Sequence, residues 1–213
     1  MKKALLFLLL AVALQPAFAQ DSNKTLFKNK KLENFGMFAR GGVQYSQIAN
    51  RVALPFDGHV GLSFDQRWRI GMAFEALMNN ITVKNSALVA PYTRMRWQYS
   101  NFGGFVEYAF MSKRLISVSP GLFAGYGTIS KHPLDGPNLD VDGDVDDSNF
   151  FVFKPYLNVN LNITRFIGLY VSGGYRFSTG EVTQGISDKQ LSGAFGVVGL
   201  KFEIIPEVLS TID

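Results

Sequence analysis

Hydrophobic and polar residues alternate along most of the chain, and the alternation is clearest over residues 151–163, FVFKPYLNVNLNI. Odd positions in this segment are apolar, whereas even positions include Lys154, Asn158 and Asn160. Successive side chains of a β-strand point to opposite faces, so a period of two predicts a strand with one apolar and one polar face. The recurrence of this pattern elsewhere places the apolar face against lipid and the polar face around a lumen.

The same alternation recurs in eight segments, which we predict to be the strands of a closed barrel. Connections after the second, fourth and sixth segments are short, and those after the first, third, fifth and seventh are longer. Such an alternation is typical of a transmembrane β-barrel, whose tilted strands need about 9–11 residues to cross a bilayer. The predicted strands cover approximately 35–47, 57–64, 68–78, 94–110, 115–129, 149–163, 166–177 and 191–203.

The fourth segment has the least regular pattern. Trp97 and Tyr99 share one phase of the alternation, whereas Val106 belongs to the other. A change of phase between them predicts a β-bulge at Gly103 and Gly104, because an extra residue in one strand reverses the side chains that follow. On this interpretation Trp97 and Tyr99 belong to an aromatic girdle facing the membrane.

The first 19 residues have the features of a secretory signal peptide, with two early lysines, an apolar run and Ala-Phe-Ala before the cleavage point. The apolar run is much shorter than the approximately 20 residues that a membrane helix needs. We therefore expect cleavage after Ala19. The expected organisation is a signal peptide over 1–19, a periplasmic lead-in over 20–33, the barrel over 34–204 and a periplasmic tail over 205–213.

Composition narrows the function classes. The chain has no cysteine, which excludes a disulfide framework and thiolate chemistry. Removing the two lysines of the signal peptide lowers the net charge from +4 to +2, and no basic run supports nucleic-acid binding. An exported chain without a later membrane helix is either a soluble periplasmic protein or an outer-membrane barrel. The apolar outward positions count against a soluble ligand-binding barrel.

Two hairpins and a closing strand resemble the small eight-stranded outer-membrane β-barrel proteins of Gram-negative bacteria: FDGHVGLSFDQRWRIGMAFEALMNN, GGFVEYAFMSKRLISVSPGLFAGYG and LSGAFGVVGLKFEI. The resemblance covers 34–204. It implies an all-β, closed, eight-stranded antiparallel up-and-down barrel in the outer membrane, with both termini and the short turns in the periplasm and longer extracellular loops. It also implies insertion by the barrel-assembly machinery, which in this family recognises an aromatic residue at the end of the last strand. Phe202 is the last strand aromatic here, and this chain departs from the family pattern because residues 203–213 follow it. The family is functionally diverse, so the resemblance assigns no activity.

Seven charged residues fall on inward positions of the predicted strands. Eight strands leave an interior just wide enough for side chains to fill, so we expect these residues to form a salt-bridged plug. The alternative is a narrow path for ions or protons. The predicted lumen charges are Arg40, Arg69, Glu75, Glu107, Lys154, Arg176 and Lys201.

The third long loop, 130–148, is rich in aspartate. Clustered carboxylates are hard oxygen ligands, which makes a loosely bound Ca²⁺ or Mg²⁺ a candidate here; no cofactor is otherwise expected. The spacing begins like an EF-hand loop, but Val145 and Phe151 stand where that loop needs glycine and glutamate. The main expectation is therefore a solvated acidic loop, bridged to lipopolysaccharide by divalent ions, and a defined cation site is the alternative. The candidate metal ligands are Asp140, Asp142, Asp144, Asp146 and Asp147.

Enzyme hypotheses depend on two histidines. His59 and Ser63 face the same side of the second predicted strand, about 13 Å apart, which is too far for a hydrogen bond. His132 lies in the third loop near Asp135. No nucleophile motif flanks either histidine, so we predict that the protein is not an enzyme. A lipid-modifying barrel enzyme is kept as a third hypothesis, after a structural or surface-interaction role and a narrow channel.

The predicted role is structural or interactive, through extracellular loops that contact lipopolysaccharide, matrix or a partner. Loop 130–148 is the main candidate for a partner site, and Arg94 and Arg96 lie where they can reach lipopolysaccharide phosphates. A narrow channel for ions or small solutes is the alternative function, and it requires an open lumen.

Overall fold

The computed structural model describes most of the predicted barrel. The described residues are 35–65, 67–90, 92–112, 114–134, 145–164, 166–180 and 185–204. The predictions for the signal peptide (1–19), the lead-in (20–33) and the tail (205–213) concern residues outside this set. The same holds for residues 135–144 of the acidic loop and for the side chain of Asp146.

Over these residues the chain forms ten strands, and eight of them close into an antiparallel barrel, which confirms the predicted fold class. The ring runs β1-β3-β4-β6-β7-β8-β9-β10, and β10 pairs back with β1. No helix in the described part of the chain is long and apolar enough to cross a membrane. The strands are β1 (Phe35–Ile48), β2 (Arg51–Ala53), β3 (Pro55–Phe64), β4 (Trp68–Leu77), β5 (Ile81–Thr82), β6 (Met95–Tyr108), β7 (Ile116–Pro133), β8 (Val145–Asn162), β9 (Ile167–Gly180) and β10 (Gly193–Ile204).

β7 and β8 are longer than the sequence pattern predicts. The register between them shifts between Ile129 and Lys131, after which Lys131 pairs with Val145. β7 continues to Pro133 through its pairing with β6, and β8 begins at Val145, so the ends of the predicted loop 130–148 belong to the sheet. The predicted closing strand, 191–203, begins too early. Leu191 lies in a one-turn helix, Asp188–Leu191, and β10 begins at Gly193.

The predicted bulge in β6 is wrong. Gly103 pairs with Gly125 in an uninterrupted register, and a Cβ atom on Gly103 would lie 2.5 Å from the Gly125 Cα. These glycines therefore allow the two strands to approach closely, and they do not form a bulge. Trp97 and Tyr99 point into the barrel and are only 3% and 1% exposed. The hydrophobic phase reverses along β6 because the interior itself becomes apolar near the long loops.

The outer wall of the barrel carries a band of exposed apolar side chains bounded by aromatic residues at both ends. Two aromatic girdles around an apolar band are characteristic of transmembrane barrels. The long-loop girdle contains Tyr45, Phe56, Phe74, Phe102, Tyr126, Phe151 and Phe177, and the short-turn girdle contains Phe35, Trp68, Tyr108, Phe110, Phe166 and Phe202.

Candidate functional site

Charged side chains from opposite sides of the barrel meet in the lumen. Arg40 Nη2 of β1 lies 2.5 Å from Glu107 Oε1 of β6, and the Tyr156 hydroxyl of β8 donates to the same oxygen at 2.8 Å. Lys154 of β8 pairs with Glu75 of β4. Both ion pairs join strands that are three places apart around the ring, so they cross the lumen instead of running along its wall.

A histidine and an aspartate of β3 extend this central cluster. Arg40 donates to His59 Nδ1 at 2.9 Å, which leaves the His59 Nε2 hydrogen to bond Asp57 at 3.2 Å. The Tyr170 hydroxyl donates to the other Asp57 oxygen at 3.3 Å. The Arg40 guanidinium also lies 5.3 Å from the Tyr170 ring centre, so aromatic faces further stabilise the buried charge.

Arg176 connects the lumen to the loops at one end. Its Nη1 donates to the Tyr99 hydroxyl at 3.3 Å, and Asn101 donates to the same hydroxyl at 2.7 Å. The remaining guanidinium nitrogens donate to the carbonyl oxygens of Leu191 and Gln47, at 2.6 and 2.9 Å. A fully buried cation is thereby used to fix two chain segments at the long-loop end.

A third cluster lies at the short-turn end. Glu203 accepts hydrogen bonds from Arg69 at 3.1 Å and from Lys201 at 3.0 Å, and Lys201 also donates to Asn162 at 3.0 Å. All seven charges assigned to the lumen from the sequence are buried, with 0–5% exposure. The three clusters distribute them along the barrel, each with a partner of opposite charge or a hydrogen-bonding partner.

The sequence-based prediction omitted Asp57, Glu203 and Lys131, which are also buried. Asp57 lies at an inward position of the same strand as His59, and Glu203 at an inward position of the same strand as Lys201. The alternation of the sequence is therefore sufficient to identify both as lumen residues. Lys131 lies beyond the predicted end of its strand, and the uninterrupted pairing of β7 with β6 places it opposite Trp97, with Nζ 5.6 Å from the ring centre.

An apolar cluster, which we call the loop cap, closes the lumen at the long-loop end. Its members come from the barrel rim and from the connections that follow β1, β4 and β9. The loop cap consists of Ile48, Ala49, Ala53, Ile81, Val83, Ala87, Met95, Trp97, Ile129, Ile186 and Leu191.

Specific backbone contacts hold the loop cap together. Ala49 and Asn50 form a two-residue turn between β1 and β2 with positive φ angles of 53° and 59°. This backbone conformation is unfavourable for alanine, and Ala49 is held in it by an N–H bond to the Gln190 carbonyl at 3.1 Å. The Asn79 side chain accepts from the Leu54 N–H at 2.7 Å, which joins the β4–β6 connection to the same hairpin.

Little space remains between these groups. The cavity bounded by Arg40, Asp57, His59 and Tyr170 has a volume of about 10 Å³, room for about one water molecule. This cavity beside His59 is too small for a substrate, and the hydrogen-bond partners of His59 are Asp57 and Arg40 rather than Ser63. His132 lies on β7, where its backbone pairs with β6.

The predicted cation site lies mostly outside the described residues. Asp140, Asp142 and Asp144 are in the loop that is not described, and Asp147 is exposed near the start of β8. Within the described ranges, no three histidine or carboxylate side chains come together as a metal-binding group. The cation site remains a prediction.

The fold is that of the small eight-stranded outer-membrane β-barrels. Neisserial surface protein A is similar, with a TM-score of 0.52 and 12% identity over 80% of this chain and 96% of that protein's chain. A major outer membrane protein from Thermus thermophilus has a TM-score of 0.50 and 11% identity over 80% and 98% of the two chains. No protein-family model and no curated protein matches the sequence. At such identities the likeness concerns the fold.

Proposed function

We propose that the protein is an integral outer-membrane barrel with a sealed lumen, which acts structurally or by surface interaction through its long-loop end. The observation that carries this proposal is the filling of the lumen by ion pairs that cross it, beneath an apolar loop cap. No reaction belongs to the proposal, because the buried histidine adjoins room for about one water molecule only.

The same proposal assigns an orientation. The described chain begins at Phe35 and ends at Ile204 beside each other, at the end of the barrel that carries the short turns. Longer connections face outward in transmembrane barrels, which supports extracellular long loops and periplasmic termini. Loop 130–148 is then a surface element for lipopolysaccharide, matrix or a partner, with its aspartates holding Ca²⁺ or Mg²⁺ loosely. The barrel-assembly machinery is the partner during insertion.

The sealed lumen is tested by conductance. We expect the chain from residue 20 to 213, refolded and inserted in a planar bilayer, to give no steady current. The physical reason is that ion pairs cross the lumen and the apolar loop cap covers its long-loop end. A compact, heat-shifted gel band shows that the inserted protein is folded. Steady ion-selective conductance from the folded barrel would instead establish the narrow channel.

The orientation is tested by cysteine labelling, for which the cysteine-free chain provides a clean background. Lys84→Cys lies exposed in the long β4–β6 connection, and Asp65→Cys lies exposed in a short turn. On intact cells we expect an impermeant maleimide to label the first variant and to leave the second unlabelled until the outer membrane is opened. The reverse pattern would contradict extracellular long loops.

A further inference from the structure

We propose that a groove on the outer wall binds one outer-leaflet glycolipid, with an acyl chain in the groove and the sugar head beside it. The inference rests on the membrane location given above. The groove has a volume of about 670 Å³, within the range of about 300–1,000 Å³ typical of small-ligand sites. Its main lining residues, which define the wall groove, are Phe74, Ala76, Ser100, Phe102, Tyr126 and Thr128.

The apolar part of the wall groove is formed by aromatic rings that stand away from the sheet. Phe102 and Tyr126 are direct cross-strand neighbours on β6 and β7, yet they are 57% and 73% exposed. Tyr126 packs edge-on against Phe151 of β8, with ring centres 5.8 Å apart. The wall groove is continuous with the apolar band, so in a membrane an acyl chain is the group that fills it.

The other end of the wall groove is polar and uncharged. Ser100 Oγ and Thr128 Oγ1 lie 3.0 Å apart and share one hydrogen bond at the exposed surface. Each hydroxyl has one donor and two acceptor positions, so one O–H and several lone pairs remain for a ligand. Sugar hydroxyls and amide-linked chains of a glycolipid match this neutral donor and acceptor set. A phosphodiester head alone would offer acceptors and few donors.

A cation completes the sequence of groups along β6. Arg96 shares the outward phase of Ser100 and lies four residues nearer the long loops, about 13 Å along the strand. Its Nη1 donates to the Asn80 side chain at 3.1 Å, which positions the guanidinium at the rim. Along β6 the cation comes first, then the hydroxyl pair and then the apolar groove. This order matches the phosphate, the sugar and the acyl chain of an outer-leaflet glycolipid.

The test compares lipid retention by a groove-filling variant and a matched control. Ser100→Phe places a ring in the wall groove, while Gln47→Phe adds the same ring at an exposed position on β1, on the far side of the barrel. Each protein is folded in phosphatidylcholine vesicles containing a minor fraction of lipid A, extracted in mild detergent and weighed by native mass spectrometry. We expect one retained lipid A on the original and control proteins, and about tenfold less on Ser100→Phe.

A second variant tests the head group separately. Ser100→Ala combined with Thr128→Val keeps the groove but removes both hydroxyls, and we expect about fivefold weaker retention of lipid A, the effect of one net hydrogen bond. Equal lipid A on Ser100→Phe and Gln47→Phe would overturn the site, and equal retention of phosphatidylcholine and lipid A would overturn the glycolipid assignment. Lipid A is present in both leaflets of these vesicles. Failure of the proposed orientation would therefore appear in the cysteine labelling and not here.

Discussion

Replacing Glu107 by alanine is expected to lower the free energy of unfolding of the barrel by about 3–5 kcal/mol, the cost of breaking a buried ion pair. The substitution leaves the Arg40 guanidinium in the lumen without the carboxylate that lies 2.5 Å from it. It also removes the acceptor of the Tyr156 hydroxyl. Urea unfolding of the protein folded in lipid vesicles, followed by the gel shift, measures the loss.

A double substitution separates the buried charge from the lost packing. Arg40→Met combined with Glu107→Leu removes both charges and retains side-chain volume, and we expect it to recover most of the stability. Arg51→Ala serves as the surface control, because Arg51 is exposed on β2. If Glu107→Ala costs no more than Arg51→Ala, the crossing ion pair does not stabilise the barrel.

Replacing Trp97 by alanine is expected to cost a similar amount, about 3–5 kcal/mol, because it leaves a large cavity in the loop cap. Trp97 is 3% exposed, it pairs with Ile81 of the β4–β6 connection, and a Cβ atom on Gly185 of the β9–β10 connection would lie 4.0 Å from its ring, so both connections lose a packing partner. We also expect faster proteolysis of the 78–94 connection. Urea unfolding and limited proteolysis of the folded protein give the two measurements.

The second tryptophan of the chain is the matched control. Trp68 is 49% exposed on the outer wall, where its ring packs edge-on against Tyr108 at 4.9 Å. Trp68→Ala removes the same volume without opening the interior, so a smaller loss of stability is expected and the loops should stay protected. Equal losses and equal proteolysis in both variants would contradict an inward Trp97 that supports the loop cap.

The period of two in the sequence was sufficient to predict the barrel and most of the lumen charges. It works in β8 because every inward position from Lys154 to Asn160 is polar and every outward one is apolar. It misleads in β6, where Trp97 and Tyr99 are apolar or aromatic yet face inward. Alternation shows only that the two faces of a strand differ in polarity. Where both faces are apolar, it does not indicate which face points into the lumen.

The loop cap could not be predicted in the same way. Its members are scattered over segments that have no period, and they meet only because the barrel brings its long connections to one end. Which lumen charges pair with one another could not be predicted from the sequence either. Which carboxylate meets Arg40 depends on the stagger of strands around the ring, and that stagger is a property of the closed barrel rather than of any strand.

The bond between Arg69 and Glu203 has a consequence for the order of folding. The two residues are 134 positions apart, and β10 also supplies the strand that closes the ring against β1. Contacts of such long range form late, because the chain entropy lost in bringing them together is recovered only when much of the structure is in place. The short-turn cluster is therefore completed at closure. A chain that stopped before β10 would leave two unpaired sheet edges and Arg69 without its carboxylate.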